Sequence, residues 1–217
     1  KKADNGSEPD GYLINDKYLE NAGTTPGDWY PIALGRLGIQ DNNEGYLAVI
    51  KDRVEERYRE SGRLSAAKAT EWHRIALAVL AMGGDPTNFG TDENGAPINL
   101  IADGTYDRGK TTPLGRQGIN GWIWGLITLD SMRYAVHDGA YNTRDDIIVE
   151  IISKQLSDGG FALSSDDADP DITAMAITAL APYYNSEKIY SYHRKALSAD
   201  ESKTVHEVVD EAVLCLS

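Results

Sequence analysis

Four segments of this chain repeat one pattern, and that repetition constrains the fold more than any other feature of the sequence. They begin at Asp28, Glu71, Asn120 and Asp171, with starts 43, 49 and 51 residues apart. Each opens on a polar or acidic residue suited to a helix N-terminus. The sixth place is small (Ala33, Ala76, Gly125, Ala176), the seventh is branched and apolar, and the tenth is Leu (Leu37, Leu80, Leu129, Leu180). A period of this size marks a helical-repeat architecture. The segments are apolar nearly all round, which predicts helices buried on most sides.

The stretches between them have a different character. Tyr46 to Glu60, Asp145 to Leu156 and Val205 to Leu216 place apolar residues on one stripe and charges elsewhere, the 3.6-residue period of helices lying on a surface. Shorter helices are expected within Tyr12 to Glu20 and near Pro97 to Ala102. The order is therefore amphipathic, buried, amphipathic, buried. Two layers of helices explain it, with buried ones inside and amphipathic ones outside; an open helical solenoid would give the same local pattern. No strand pair stands out, and Gly83-Gly84-Asp85-Pro86 and Gly90 to Pro97 read as loops. The expected fold class is all-α. The polar start over residues 1–10 reads as a flexible tail or linker, and residues 11–217 as one domain with four inner helices.

The formal charge of −13 bears on partners. A surface of that sign repels phosphate backbones, so nucleic acid is not an expected partner, and it argues against docking on anionic lipid. No apolar run approaches the roughly 20 residues that span a bilayer, so membrane insertion is not expected. The single cysteine, Cys215, rules out an internal disulfide and a cysteine-based zinc cluster.

Gln155-Leu156-Ser157-Asp158-Gly159-Gly160-Phe161-Ala162 resembles the Gln…Gly-x-Trp repeat of the squalene cyclases and their relatives, with Phe161 in the Trp place. Asp167-Ala168-Asp169-Pro170-Asp171-Ile172-Thr173-Ala174-Met175-Ala176 resembles the Asp-Thr-Ala-x-Ala start of an inner helix in that family. In weaker form the resemblance runs from about Gly27 to the end. It implies an α/α toroid of helical hairpins, similar to the prenyltransferase-like repeat domains of bacterial secreted and cell-surface proteins. Family toroids close with more hairpins than are found here. The resemblance therefore implies that this chain is the N-terminal two-thirds of a larger domain, whose remaining hairpins would be its partner, or else an open crescent.

Candidate chemistry is sparse. The family's cyclases protonate an alkene with the middle Asp of Asp-x-Asp-Asp-Thr, which would carry over to Asp169 or Asp171. Here Pro170 interrupts the motif, and such an acid needs a dry pocket. Four carboxylates in a Ser/Gly-rich loop favour helix capping and solvation. Protein prenyltransferases hold zinc with Asp, Cys and His; Cys215 has His206 nearby in sequence but no matching motif, so no metal and no cofactor is expected. The aromatic residues carry more information. Trp29, Trp72, Trp122 and Trp124 all fall in the first five places of an inner helix, joined by Tyr30, Glu71, His73, Arg74, Asn120 and Asp171. In a toroid these helix starts gather at one rim, which gives an aromatic mouth with a few polar groups. Two readings stay open: the rings line a ligand pocket, or they pack between hairpins.

The expected function is a non-catalytic binding or scaffold module of an extracellular or cell-surface protein, with a small apolar or aromatic ligand, or a protein partner, at the Trp-lined rim. The alternative is a terpenoid cyclase or prenyltransferase-like enzyme.

Overall fold

The computed structural model describes residues 11–109 and 113–217; the expected tail over residues 1–10 lies outside the described residues. The chain divides into two compact units. The first runs to Ala66 and resumes over Glu71–Gly104; the second comprises Ala67–Thr70 and Thr105–Ser217.

The first unit is built on α1 (Asp16–Leu19), α2 (Thr25–Arg36), α3 (Asn43–Ser61), α4 (Thr70–Ala81, from Glu71 onward) and α5 (Leu100–Gly104). α3 starts where the Asn42 side chain accepts a hydrogen bond from Gly45 N, and it stops at Gly62, which adopts the left-handed backbone that glycine takes without strain. Between these ends Tyr46, Ile50, Val54 and Tyr58 recur every four residues and are buried, so one stripe of α3 faces the core. α4 buries Trp72 to Ala76 without a break, together with Ala78 and Val79. α2 and α4 approach closely at Gly35, where an added Cβ would sit 2.0 Å from the Ala81 carbonyl oxygen.

The second unit contains a 3-10 turn at Leu114–Gln117, then α6 (Ile119–Asp130), α7 (Arg144–Ile152), α8 (Pro170–Leu180), a 3-10 turn at Ala181–Tyr183, β1 (Ile189–Arg194), β2 (Ala199–Thr204) and α9 (Val205–Cys215). α6 packs against both α7 and α8. Thr143 and Asp146 form a reciprocal capping box at the start of α7, and Thr204 and Glu207 form another at α9. α7 buries Ile147, Ile148, Ile151 and Ile152 on its inner stripe.

The four repeated segments all lie in helices, as α2, α4, α6 and α8, and the three amphipathic stretches fall on α3, α7 and α9. The expectation of an all-α toroid, however, is corrected. Helix makes up 51% of the chain, and β1 pairs with β2 in an antiparallel hairpin, with Ile189 opposite Thr204 and Arg194 opposite Ala199. The physical reason is a period of two. Tyr190, Tyr192 and Arg194 point to the core while Ile189, Ser191 and His193 face solvent. The turn runs through Lys195–Leu197 and Ser198, whose φ of 49° closes the reversal.

Candidate functional site

In the first unit, the expected rim residues separate into two environments. Trp29 and Tyr30, near the start of α2, are 42% and 38% exposed. Tyr30 lies beside Tyr18, with ring centroids 5.5 Å apart and planes tilted by 54°. The Tyr18 hydroxyl donates to the Gly27 carbonyl, and its phenol is pushed up to about 12, first by burial and then by the charge of Asp28 and by Tyr30. Trp72 and His73, on α4, are instead 3% and 1% exposed. Trp72 Nε1 donates to Tyr58 Oη at 2.7 Å, and Tyr58 Oη donates to Asp103 Oδ2 at 2.6 Å. His73 Nε2 is 2.7 Å from the Gly104 carbonyl oxygen. A Cβ at Gly104 would lie 2.7 Å from that of Trp72, so the indole is packed against backbone. Trp72 and His73 thus belong to the core of this unit.

Glu71 has a structural partner as well. The Arg74 guanidinium grips both of its carboxylate oxygens, at 2.8 and 3.0 Å, and donates from Nε to Asp28 Oδ2 at 2.8 Å. Asp28 is fully buried and also accepts from Gly23 N and from Tyr46 Oη, each at 2.7 Å. Burial, followed by the neighbouring Asp28, pushes the Tyr46 phenol far above its usual range, so it stays a donor. Every group in this knot stabilises another. It is a buried, satisfied charge pair rather than a poised acid or base.

In the second unit, Asn120, Trp122 and Trp124 lie near the start of α6 and are half-buried, and Asp171 is exposed in the first turn of α8. A Cβ at Gly115 would fall 2.2 Å from Trp122 Nε1, so the indole rests on a backbone kept bare for it. Asp169 is the N-cap of α8, its Oδ1 accepting from Asp171 N at 2.8 Å and Ile172 N at 3.1 Å. That capping role, on a half-buried carboxylate turned to backbone N–H groups, differs from the dry pocket in which an alkene-protonating acid works. Among the described residues, no group of three or more His, Cys, Asp or Glu is arranged to hold a metal ion.

The Gln155–Phe161 stretch is held by a dense set of hydrogen bonds, although the buried Gln155 Oε1 has no partner among the described residues. Gln155 is buried, and its Nε2 donates to the carbonyls of Gly159 and Val208 at 2.8 and 2.9 Å. Gly159 has a φ of 91°, and a Cβ there would lie 2.7 Å from the Glu211 carbonyl oxygen, so only glycine suits the turn. Phe161 is fully buried beyond it.

Sequence reasoning did not single out a cleft in the second unit. Its Asp130 accepts from Arg144 Nε at 2.7 Å and from Tyr183 Oη at 2.6 Å. Arg144 Nη2 also donates to the Leu129 and Tyr134 carbonyls. Next to it, His137 Nδ1 lies 2.9 Å from the Asp138 carbonyl oxygen and Nε2 2.6 Å from Asp107 Oδ1. The Asp138 carbonyl, and then Asp107, raise the imidazole above its ordinary value. The signal that could have found this cleft was the density of charge in Asp130 to Asp146, which lies between two apolar helices.

Comparison with known proteins finds no matching family model, no matching curated protein and no matching solved structure.

Proposed function

We propose that this chain is a non-catalytic binding or scaffold module of an extracellular or cell-surface protein, and that its ligand is a small apolar or aromatic molecule held at Trp29 and Tyr30. The observation that carries the reading is the exposure of these two consecutive aromatic side chains near the start of α2, beside Tyr18, while Trp72 and His73 are buried in the core. Large rings left in water carry unspent hydrophobic free energy, at roughly 25 cal/mol per Å². Further support comes from the polar groups that could act as catalysts. Glu71, Asp28, Asp169 and Gln155 each hold structural bonds. The surface location rests on the charge of −13 and on the resemblance carried by Gln155–Ala162 and Asp167–Ala176.

The test pairs a fluorescence titration with unfolding. A naphthalene-sulfonate dye and a set of small aromatic ligands are titrated into the wild type and into Trp29→Ala and Tyr30→Ala. Saturable binding that both variants weaken, with thermal midpoints little changed, is the expected result. Dye and ligands that bind the variants as well as the wild type would remove α2 as the site. Turnover of a polyprenyl substrate, abolished by Asp169→Asn, would replace the whole reading with the cyclase one.

A further inference from the structure

α6 ends with a conformation that its sequence does not make easy. Tyr134 N donates to the Leu129 carbonyl at 3.0 Å and Arg133 N to the Asp130 carbonyl at 3.1 Å, which closes the helix with Arg133 in the left-handed region at a φ of 53°. At this kind of helix end the left-handed residue is commonly glycine, because an L side chain there is strained by its own Cβ. Here the place is taken by an arginine. The only other non-glycine residue with positive φ among those described is Ser198, at the hairpin turn. A strained residue that persists is a reason to ask what its side chain does.

The Arg133 side chain lines an open cleft of about 550 Å³ with Asp130, Arg144, Pro182 and Tyr183. The charges in this cleft do not cancel. Both carboxylate oxygens of Asp130 are taken, one by Arg144 Nε and the other by the Tyr183 hydroxyl. Arg144 is held rigidly by that bond and by two backbone carbonyls, through Nε and Nη2, which leaves Nη1 without a partner among the described residues. The Arg133 guanidinium likewise has no ion pair or hydrogen bond among the described residues. One excess positive charge therefore remains in the cleft of a chain whose net charge is −13. The neighbouring opening, about 470 Å³, shares Arg144 and Tyr183 and adds Asp138 and Asp145. Asp145 is already bonded to Lys188 Nζ at 2.6 Å and Tyr190 Oη at 3.1 Å. Asp138 is exposed and lines this second opening, not the one that holds Arg133.

We infer that the cleft formed by Arg133, Arg144, Pro182 and Tyr183 binds the oxyanion group of a small molecule, a carboxylate or a phosphate, between the two guanidinium groups. Planar guanidinium donors match the oxygens of such groups, and charge-assisted bonds are the strong ones. Arg144 is preorganised by Asp130 and the two carbonyls, so little side-chain freedom is lost on binding. Tyr183 and Pro182 give the body of the ligand an apolar wall. This site is independent of the aromatic surface on α2, and either can fail without the other.

The test is a nitrogen–proton NMR titration of the whole chain with acetate, benzoate and inorganic phosphate, at moderate ionic strength so that the overall negative charge is screened. Saturable shifts confined to Arg133, Arg144, Tyr183 and their neighbours are expected for at least one probe. A stronger response to benzoate than to phosphate assigns an organic carboxylate as the ligand, and the reverse order assigns a phosphoryl group; either supports the site. Arg133→Gly removes the charge at a position where glycine is unstrained, so the fold is kept while affinity falls about tenfold, the value of one charge-assisted hydrogen bond. Arg133→Asn, which also tolerates the left-handed region, gives the same loss, and Arg133→Lys, which keeps the charge but not the planar donor pair, gives an intermediate one. The absence of saturable shifts with all three probes, or wild-type affinity in both Arg133→Gly and Arg133→Asn, would overturn the inference.

Discussion

Thr173 and Phe161 exchange two hydrogen bonds. Phe161 N donates to Thr173 Oγ1 at 2.9 Å, and the same hydroxyl donates to the Phe161 carbonyl at 3.1 Å. Both residues are fully buried, so one side-chain oxygen on α8 satisfies both backbone groups of the aromatic residue that enters the core ahead of it.

Thr173→Val keeps the shape and removes the hydroxyl. The Phe161 N–H is then buried without a partner, and the expected loss is about 1–3 kcal/mol of stability. Phe161→Ala removes the ring and leaves a cavity, with an expected loss of about 3–5 kcal/mol. Urea unfolding followed by circular dichroism measures both, and a Thr173→Val midpoint equal to wild type would deny the exchange any energetic role.

The buried pair Asp28–Arg74 predicts a non-additive result. Arg74→Met leaves the Asp28 carboxylate buried without its cation and should destabilise by about 3–5 kcal/mol. Asp28→Asn together with Arg74→Met removes both charges and should be less destabilising than Arg74→Met alone. A double-mutant cycle from denaturant midpoints decides it, since simple additivity would mean that the pair is uncoupled.

Alkali should weaken the fold through its tyrosines. Burial pushes Tyr18 and Tyr190 from the usual 10.0 to about 12, with Asp28 adding to the first and Asp145 to the second. A phenol whose folded value is raised contributes stability that is intact below 10, and that is lost as pH rises from there through about 12. Tyr18 is partly exposed, which screens its share, whereas Tyr190 is buried. Ultraviolet titration should show tyrosines ionising late in the folded protein. Tyr18→Phe and Tyr190→Phe should each remove part of the late signal.

Ser198→Gly should stabilise the hairpin. Relief of the left-handed strain is worth about 1–2 kcal/mol, and the extra freedom of glycine in the unfolded chain takes back about 0.4–1 kcal/mol. A net gain somewhat below 1 kcal/mol is expected, read as a higher thermal midpoint. A lower midpoint would mean that the serine hydroxyl matters more than its backbone.

The helices were legible because burial writes its period into the sequence. Tyr46, Ile50, Val54 and Tyr58 recur every four residues, and the starts at Asp28, Glu71, Asn120 and Asp171 all precede long apolar runs. The hairpin was missed for two reasons. β1 alternates Tyr190, Tyr192 and Arg194 inward, and an arginine in a core place hides the pattern. β2, Ala199 to Thr204, has no alternation of apolar residues at all, since its register is fixed by the partner strand. The site reading suffered from a different limit. Trp29 and Trp72 occupy the same place in their repeats, yet one is exposed and the other is bonded to Tyr58, a residue 14 positions away that no local pattern links to it. The sequence places side chains along a helix; which of them meets a partner depends on contacts from elsewhere in the chain.

Arg194 gives the hairpin a consequence for the order of folding. Two strands joined by a short turn zip on a timescale of about 1–10 μs. Docking the hairpin is a slower matter, because Arg194 must find the carbonyls of Gln155, 39 residues earlier, and Leu156, while Gln155 must find that of Val208 across 53 residues. Closing such spans loses chain entropy before any bond is gained. The guanidinium is therefore expected to act as a latch that shuts after the elements it joins have formed. Contacts that form after the folding barrier govern how fast a protein comes apart. Loosening Arg194 should accordingly hasten unfolding far more than it slows refolding, and stopped-flow rates for Arg194→Lys would read the difference directly.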